Sequence, residues 1–110
     1  MAYDEGYATL IREALSGEAG ISEKRMFGGL CFLKDGNMIC GVHQGGGMAR
    51  VGKAAEADAL QMDGITPLSF TGRKMGGMVD VSEDVLGDDD RRAQIVGMAL
   101  DYARSLPPKA

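Results

Sequence analysis

The sequence predicts an α+β protein of two layers, an antiparallel sheet with helices on one face. Three observations carry that prediction. Residues 23–52 (EKRMFGGLCFLKDGNMICGVHQGGGMARVG) string short apolar runs between glycine turns and read as three or four consecutive antiparallel strands. Apolar residues at helical spacing flank this block towards both ends of the chain. An alanine-rich segment at 53–61 (KAAEADALQ) separates the block from a later strand region and favours a short helix.

The first element is an amphipathic helix. Tyr3, Tyr7, Leu10, Ile11 and Ala14 follow the i, i+3, i+4, i+7 rhythm, with Asp4 as N-cap and Gly17 just past the end. Residues 16–22 read as a loop. The strand block centres on a hairpin, residues 30–34 and 37–41 joined by Asp35-Gly36. Asp-Gly suits a type I′ turn, which needs positive φ at both central residues. A two-residue turn sets Lys34 opposite Asn37, Leu33 opposite Met38, Phe32 opposite Ile39 and Cys31 opposite Cys40. Alternation then puts Gly29, Cys31, Leu33, Met38, Cys40 and Val42 on one face. That face has no polar side chain, so it is assigned to the core. Leu30, Phe32, Lys34, Asn37, Ile39, Gly41 and His43 fall on the outer face. A bulge would slip the register by one and reverse these assignments.

The next hairpin turns through residues 44–47 and returns over 48–51, with Ala49 and Val51 inward and Met48 and Arg50 outward. After the short helix and Gly64, residues 67–70 are extended and 71–74 turn. Residues 75–81 form the last strand, with Val79 and Val81 inward and Met78 and Asp80 outward. The C-terminal helix starts at 87–90, where Asp88 caps and the neighbouring carboxylates suit the positive end of the helix dipole. Val96, Ala99, Leu100 and Ala103 give its apolar stripe, and Pro107-Pro108 ends it.

With 110 residues the chain reads as one domain, 1–110, large enough to bury a core without disulfides or metal. Two cysteines do not make a disulfide framework. No charged-then-apolar leader opens the sequence, and no apolar run reaches the ~18 residues a membrane span needs. The expectation is a cytoplasmic protein with no membrane contact. A net charge of −4 argues against a basic, phosphate-neutralising surface, so weak or no direct binding to duplex DNA is expected.

Few residues suggest chemistry. GMARVGK at 47–53 matches the core of a phosphate-binding loop, but Ala54 lacks the hydroxyl that would hold magnesium, and residues 48–51 read as the strand itself. Cys31, Cys40 and His43 lack a fourth metal ligand, and His43 points away from Cys40. The hairpin register does place Cys31 and Cys40 opposite one another as a redox-proximal pair. No triad can be built around the single histidine. The methionines suit core filling. Arg25, Arg50, Arg73 and Lys74, with Lys24 and Lys53, could form an anion-binding edge.

EKRMFGGLCFLKDGNMICGV at 23–42, RVG at 50–52, PLSFTGRKMGGMVDV at 67–81 and ALDYARSLPPK at 99–109 together resemble the TfoX/Sxy N-terminal domain, found in bacterial regulators of competence for DNA uptake. The resemblance covers nearly the whole chain, and MFGG, DGNMxCGV and FTGRxM are specific in combination. Lys74 stands where the family pattern has proline, and Met78 where it often has tryptophan. The resemblance implies an α–β–β–β–α–β–β–α fold of the secretion-chaperone-like type, with no catalytic residues and no cofactor. Full regulators of the family carry a second, C-terminal domain, whereas this sequence ends after Pro107-Pro108, so a stand-alone domain is expected.

The expected function is a non-enzymatic module in transcription and competence regulation, acting mainly by protein contact. The alternative is a small-ligand or anion-binding domain using Arg25, Arg50, Arg73 and Lys74. Leu30, Phe32, Ile39, Met48 and Met78 would form an apolar outer face that meets a protein partner, in the simplest case a second copy of the chain.

Overall fold

The computed structural model describes residues 4–26, 28–70 and 73–108, and the side chains of these other than 26, 69, 70 and 73–75. The order is α1 (Glu5–Ala14), β1 (Ile21–Met26), β2 (Gly29–Lys34), β3 (Asn37–His43), β4 (Gly46–Arg50), α2 (Lys53–Leu60), β5 (Ile65–Phe70), β6 (Arg73–Ser82), α3 (Glu83–Leu86) and α4 (Asp89–Arg104). The strands form one antiparallel sheet in the order β1-β2-β3-β4-β6-β5. This is the α+β architecture expected. The strand block resolves to four strands, and α3 is a single turn in the stretch between residues 81 and 87, to which the sequence reading assigned no element.

The caps behave as their residue types require. The Asp4 carboxylate accepts from the Gly6 and Tyr7 amides at 2.7 and 3.4 Å, and Asp88 accepts from the Arg91 amide at 3.0 Å. Each satisfies an amide at a helix start that has no partner within the helix, a contribution of ~1 kcal/mol. The buried side of α1 carries Ala8 and Ile11, continued by Leu15; Tyr7 and Leu10 are half-buried and Ala14 is exposed. The stripe is therefore rotated by about one position from the expected Tyr7–Ala14 line, and Tyr3 lies outside the described residues.

The central hairpin corrects the expected faces. Asp35 and Gly36 have φ of 50° and 86°, as a type I′ turn needs, and Lys34↔Asn37 and Leu33↔Met38 pair as expected. The register then shifts: Phe32 pairs with Cys40, Cys31 with Gly41, and Leu30 with Val42. Ile39 is the extra residue of a β-bulge. Beyond it the two strands meet one residue out of step with the turn. Leu30, Phe32 and Ile39, expected on the outer face, pack instead in the main core with α1, α2, α3 and α4. Cys31 and Met38, expected in that core, lie on the far face. Cys40 and Val42 are in the main core, as expected.

The far face has its own cluster, Cys31, Met38, Met48, Leu68 and Met78, drawn from strands alone. Met48 and Met78 are outward of the helices, as expected, but only 1% and 7% exposed.

Beyond β4 the chain enters α2 through Gly52, whose φ is 84°. A Cβ there would lie 2.5 Å from the Tyr102 ring of α4, so both the backbone angle and the close approach demand glycine. The Val51 and Gly52 amides both donate to the Gly77 carbonyl, at 2.9 and 3.0 Å. The Gly77 amide donates to Glu56 at 3.1 Å, which fastens α2 to β6.

Candidate functional site

At one end of the sheet, where β3 turns into β4, an open depression of about 260 Å³ is lined by Asp4, Tyr7, His43, Gln44, Gly45, Gly46 and Glu83. Each group is placed by a local rule. Asp4 is the cap of α1, Tyr7 lies one turn on, and Glu83 opens α3. The Tyr7 hydroxyl donates to Glu83 at 3.4 Å. Burial, then the negative charge of Glu83, pushes the Tyr7 phenol above its ordinary pKa.

His43 ends β3 with its ring on the far face, beside Asp80 of β6. Its Nε2 is 2.8 Å from the Asp80 carboxylate and its Nδ1 is 2.9 Å from the Gln44 carbonyl. The strand between them, β4, has Gly46 opposite His43, so no side chain at that position blocks the reach to β6. Burial lowers the imidazole pKa, but the Gln44 carbonyl, the Asp80 carboxylate and the Gly47 carbonyl outweigh it, leaving the value raised.

A second groove, about 290 Å³, lies between α2 and α4 and is lined by Val51, Gly52, Ala54, Ala55, Met98, Asp101 and Tyr102. The Arg50 guanidinium sits over the Tyr102 ring, 5.3 Å from its centre.

The expected anion-binding edge is only partly described. Arg25 is exposed on β1, while Arg50 is three strands away on β4 and three residues beyond Gly47 in the row that contains Arg25. That separates them by on the order of 15 Å, so the sheet does not bring these two together. The side chains of Arg73 and Lys74 lie outside the described residues. Several other cations already face carboxylates. Arg12 pairs with Glu23, Arg91 with Asp88 and Arg92 with Asp89, while Lys34 and Arg104 share Glu18.

The cysteine pair is also corrected. The bulge sets Cys31 opposite Gly41, and the two side chains enter clusters on opposite faces of the sheet. Neither is in a disulfide, and burial pushes the thiols up to about 11 for Cys31 and about 12 for Cys40. Thiolate chemistry is disfavoured at both. Gly47 lies inside β4, paired with Val42 and Val81, so the GMARVGK segment is strand rather than phosphate loop. Among the described residues, no group of three histidine, cysteine or acidic side chains could hold a metal ion.

Sequence reasoning missed the two polar pairs of the first depression. The His43–Asp80 pair was within reach, since alternation turned both outward. What was lacking was the strand order that sets β6 beside β4. Tyr7–Glu83 links residues far apart in sequence and left no local signal.

Residues 13–103 match the model of the TfoX N-terminal domain. No curated protein and no solved structure matches the chain.

Proposed function

The chain belongs to the TfoX N-terminal domain family, and from that premise we propose that it is a non-enzymatic regulatory module that acts mainly through protein contacts in the bacterial cytoplasm. The match over residues 13–103 carries the reading, because the family is a regulatory one. Local chemistry is in keeping with it: both thiols are held protonated, and both nitrogens of the one histidine face acceptors within the fold. Direct binding to duplex DNA is weak or absent in this reading. The net charge is −4, and among the described residues Arg12, Lys34, Arg91, Arg92 and Arg104 are engaged with carboxylates.

The partner contact is not the apolar outer face read from the sequence. Leu30, Phe32 and Ile39 belong to the helix-side core, and Met48 and Met78 expose little area. A second copy of the chain remains the simplest partner, to be read by sedimentation. A small-anion site on a basic edge is the less supported reading, given the distance between Arg25 and Arg50.

Transcript profiling of a strain lacking the chain, with and without complementation, tests the regulatory reading. Changed DNA-uptake transcripts that complementation restores are expected. An unchanged profile overturns it. A thermal shift with inorganic phosphate that is lost in Arg50→Gln would favour the anion reading instead.

A further inference from the structure

His43 bridges its neighbour Gln44 in the β3–β4 turn and Asp80 of β6 at one end of the sheet. Its Nδ1 is 2.9 Å from the carbonyl oxygen of Gln44 in the β3–β4 turn, and its Nε2 is 2.8 Å from the Asp80 carboxylate of β6. Neither a carbonyl oxygen nor a carboxylate can donate, so both contacts need a hydrogen on the ring. A neutral imidazole carries one ring hydrogen and an imidazolium two. We propose that His43 is a proton-operated latch, whose imidazolium clamps the Gln44 carbonyl of the β3–β4 turn while bonded to Asp80 of β6, and whose neutral form keeps Asp80 but lets that carbonyl go.

The neutral ring keeps its one hydrogen on Nε2, because the carboxylate is the stronger acceptor. The Nδ1 lone pair then faces the Gln44 oxygen, and two acceptors at 2.9 Å repel. The turn moves, not the strand, since β3 is paired on both sides while Gln44 and Gly45 lie outside the ladder. Gln44 and Gly45 also line the 260 Å³ depression, so release of the latch frees part of its rim, while Gly46 stays paired with His43 and Ser82.

Asp80 of β6 is the charged group that faces the ring, while Asp4 and Tyr7 of α1 and Glu83 of α3 line the depression at the same end of the sheet. The Gln44 carbonyl, the Asp80 carboxylate and the Gly47 carbonyl favour the imidazolium. The raised Tyr7 phenol stays neutral through the range in which histidine titrates. Burial of the ring opposes the charge and is outweighed, so the folded pKa lies above the ordinary histidine value. The latch is therefore complete below the unfolded pKa and is lost as pH rises through the folded one. This inference does not depend on the regulatory reading.

Two measurements on the whole chain test it between about pH 6 and about pH 9, the range that spans a raised histidine. One is the titration of the His43 ring by NMR. The other is amide exchange at residues 44–47, corrected for the intrinsic pH dependence of exchange. The expected result is a ring midpoint above the ordinary value, turn protection that falls with the same midpoint, and loss of that pH dependence in His43→Gln. Asp80→Asn should shift the midpoint down. Turn protection independent of pH, or the same dependence in His43→Gln, overturns the proposal. Should His43→Gln fail to fold, Asp80→Asn decides alone, and an unchanged ring midpoint there overturns it.

Discussion

On the helix side the sheet offers Val42, Ala49, Val79, Val81 and Phe32; on the far side it offers Met38, Met48, Met78, Cys31 and Leu68. Both faces are apolar, yet they are built from different materials. Valine has a nearly fixed rotamer and gives a surface of set shape for helices to dock on. Methionine is unbranched and flexible, and fills irregular space without a rigid partner. Absence of polar side chains therefore marks neither face as the core, whereas the division between β-branched residues and methionine does.

Phe32 gives the strongest way to break this comparison. It is fully buried on the helix side and lies under the Arg12 guanidinium, 6.0 Å from the ring centre. Phe32→Ala should destabilise the fold by ~3–5 kcal/mol in chemical denaturation. Phe32→Glu should fail to fold. A folded, monomeric Phe32→Glu on sedimentation would return Phe32 to the outer face and undo the assignment.

Met48 is the matching probe of the far side. Met48→Ala should cost about 2 kcal/mol, the low end for a buried methionine, because neighbouring methionine side chains can move into the gap. A loss as large as that of Phe32→Ala would show that the far cluster is as rigid as the main core.

The two faces also differ in how they answer pH. Glu18 accepts from Arg104 of α4 and from Lys34 of β2, which ties helix to sheet at the end of the hairpin. Arg104, then Lys34, hold its carboxyl down at about 2, against some desolvation. The sign follows from the lowered value: the contribution is present above the ordinary carboxylate range and is lost as pH falls through about 2. Urea midpoints for Glu18→Gln should therefore fall less than wild-type midpoints on acidification from pH 5 to about 2. Equal acid sensitivity in the two proteins would remove Glu18 from the account. The histidine latch on the far face has the opposite sign and loosens towards alkali.

The smallest expected effect is none at all. Cys31 and Cys40 point to opposite faces, so mild oxidation of native protein should leave no intramolecular disulfide. Mass spectrometry of the alkylated protein would detect one, and finding it would restore the unbulged register.

Much of the fold was legible because its signals are local. The Asp35-Gly36 turn, the caps at Asp4 and Asp88, the short helix from Lys53 and the stripe of α4 all rest on residues within a few positions of one another. The bulge at Ile39 was not legible, since what selects it is the fit of Phe32 against helices that come from distant sequence. One added residue then reversed the facing of β2 and left Cys40 and Val42 in place. The polar depression was hidden for a related reason. His43 meets Asp80, and Tyr7 meets Glu83, only once the strand order and helix placement exist.

Asp4 and Pro107, near the two limits of the described residues, lie at opposite ends of β3. Asp4 lines the depression beside Gln44, whereas the Pro107 carbonyl accepts from the Asn37 amide at 2.9 Å, at the other end of that strand. Seven residues of strand separate these places, roughly 20 Å. A circular permutant would therefore need at least about six extended residues between Pro107 and Asp4, the number that residues 1–3 and 108–110 together supply. Dyes placed at the two ends would report changes in this span rather than sit in contact.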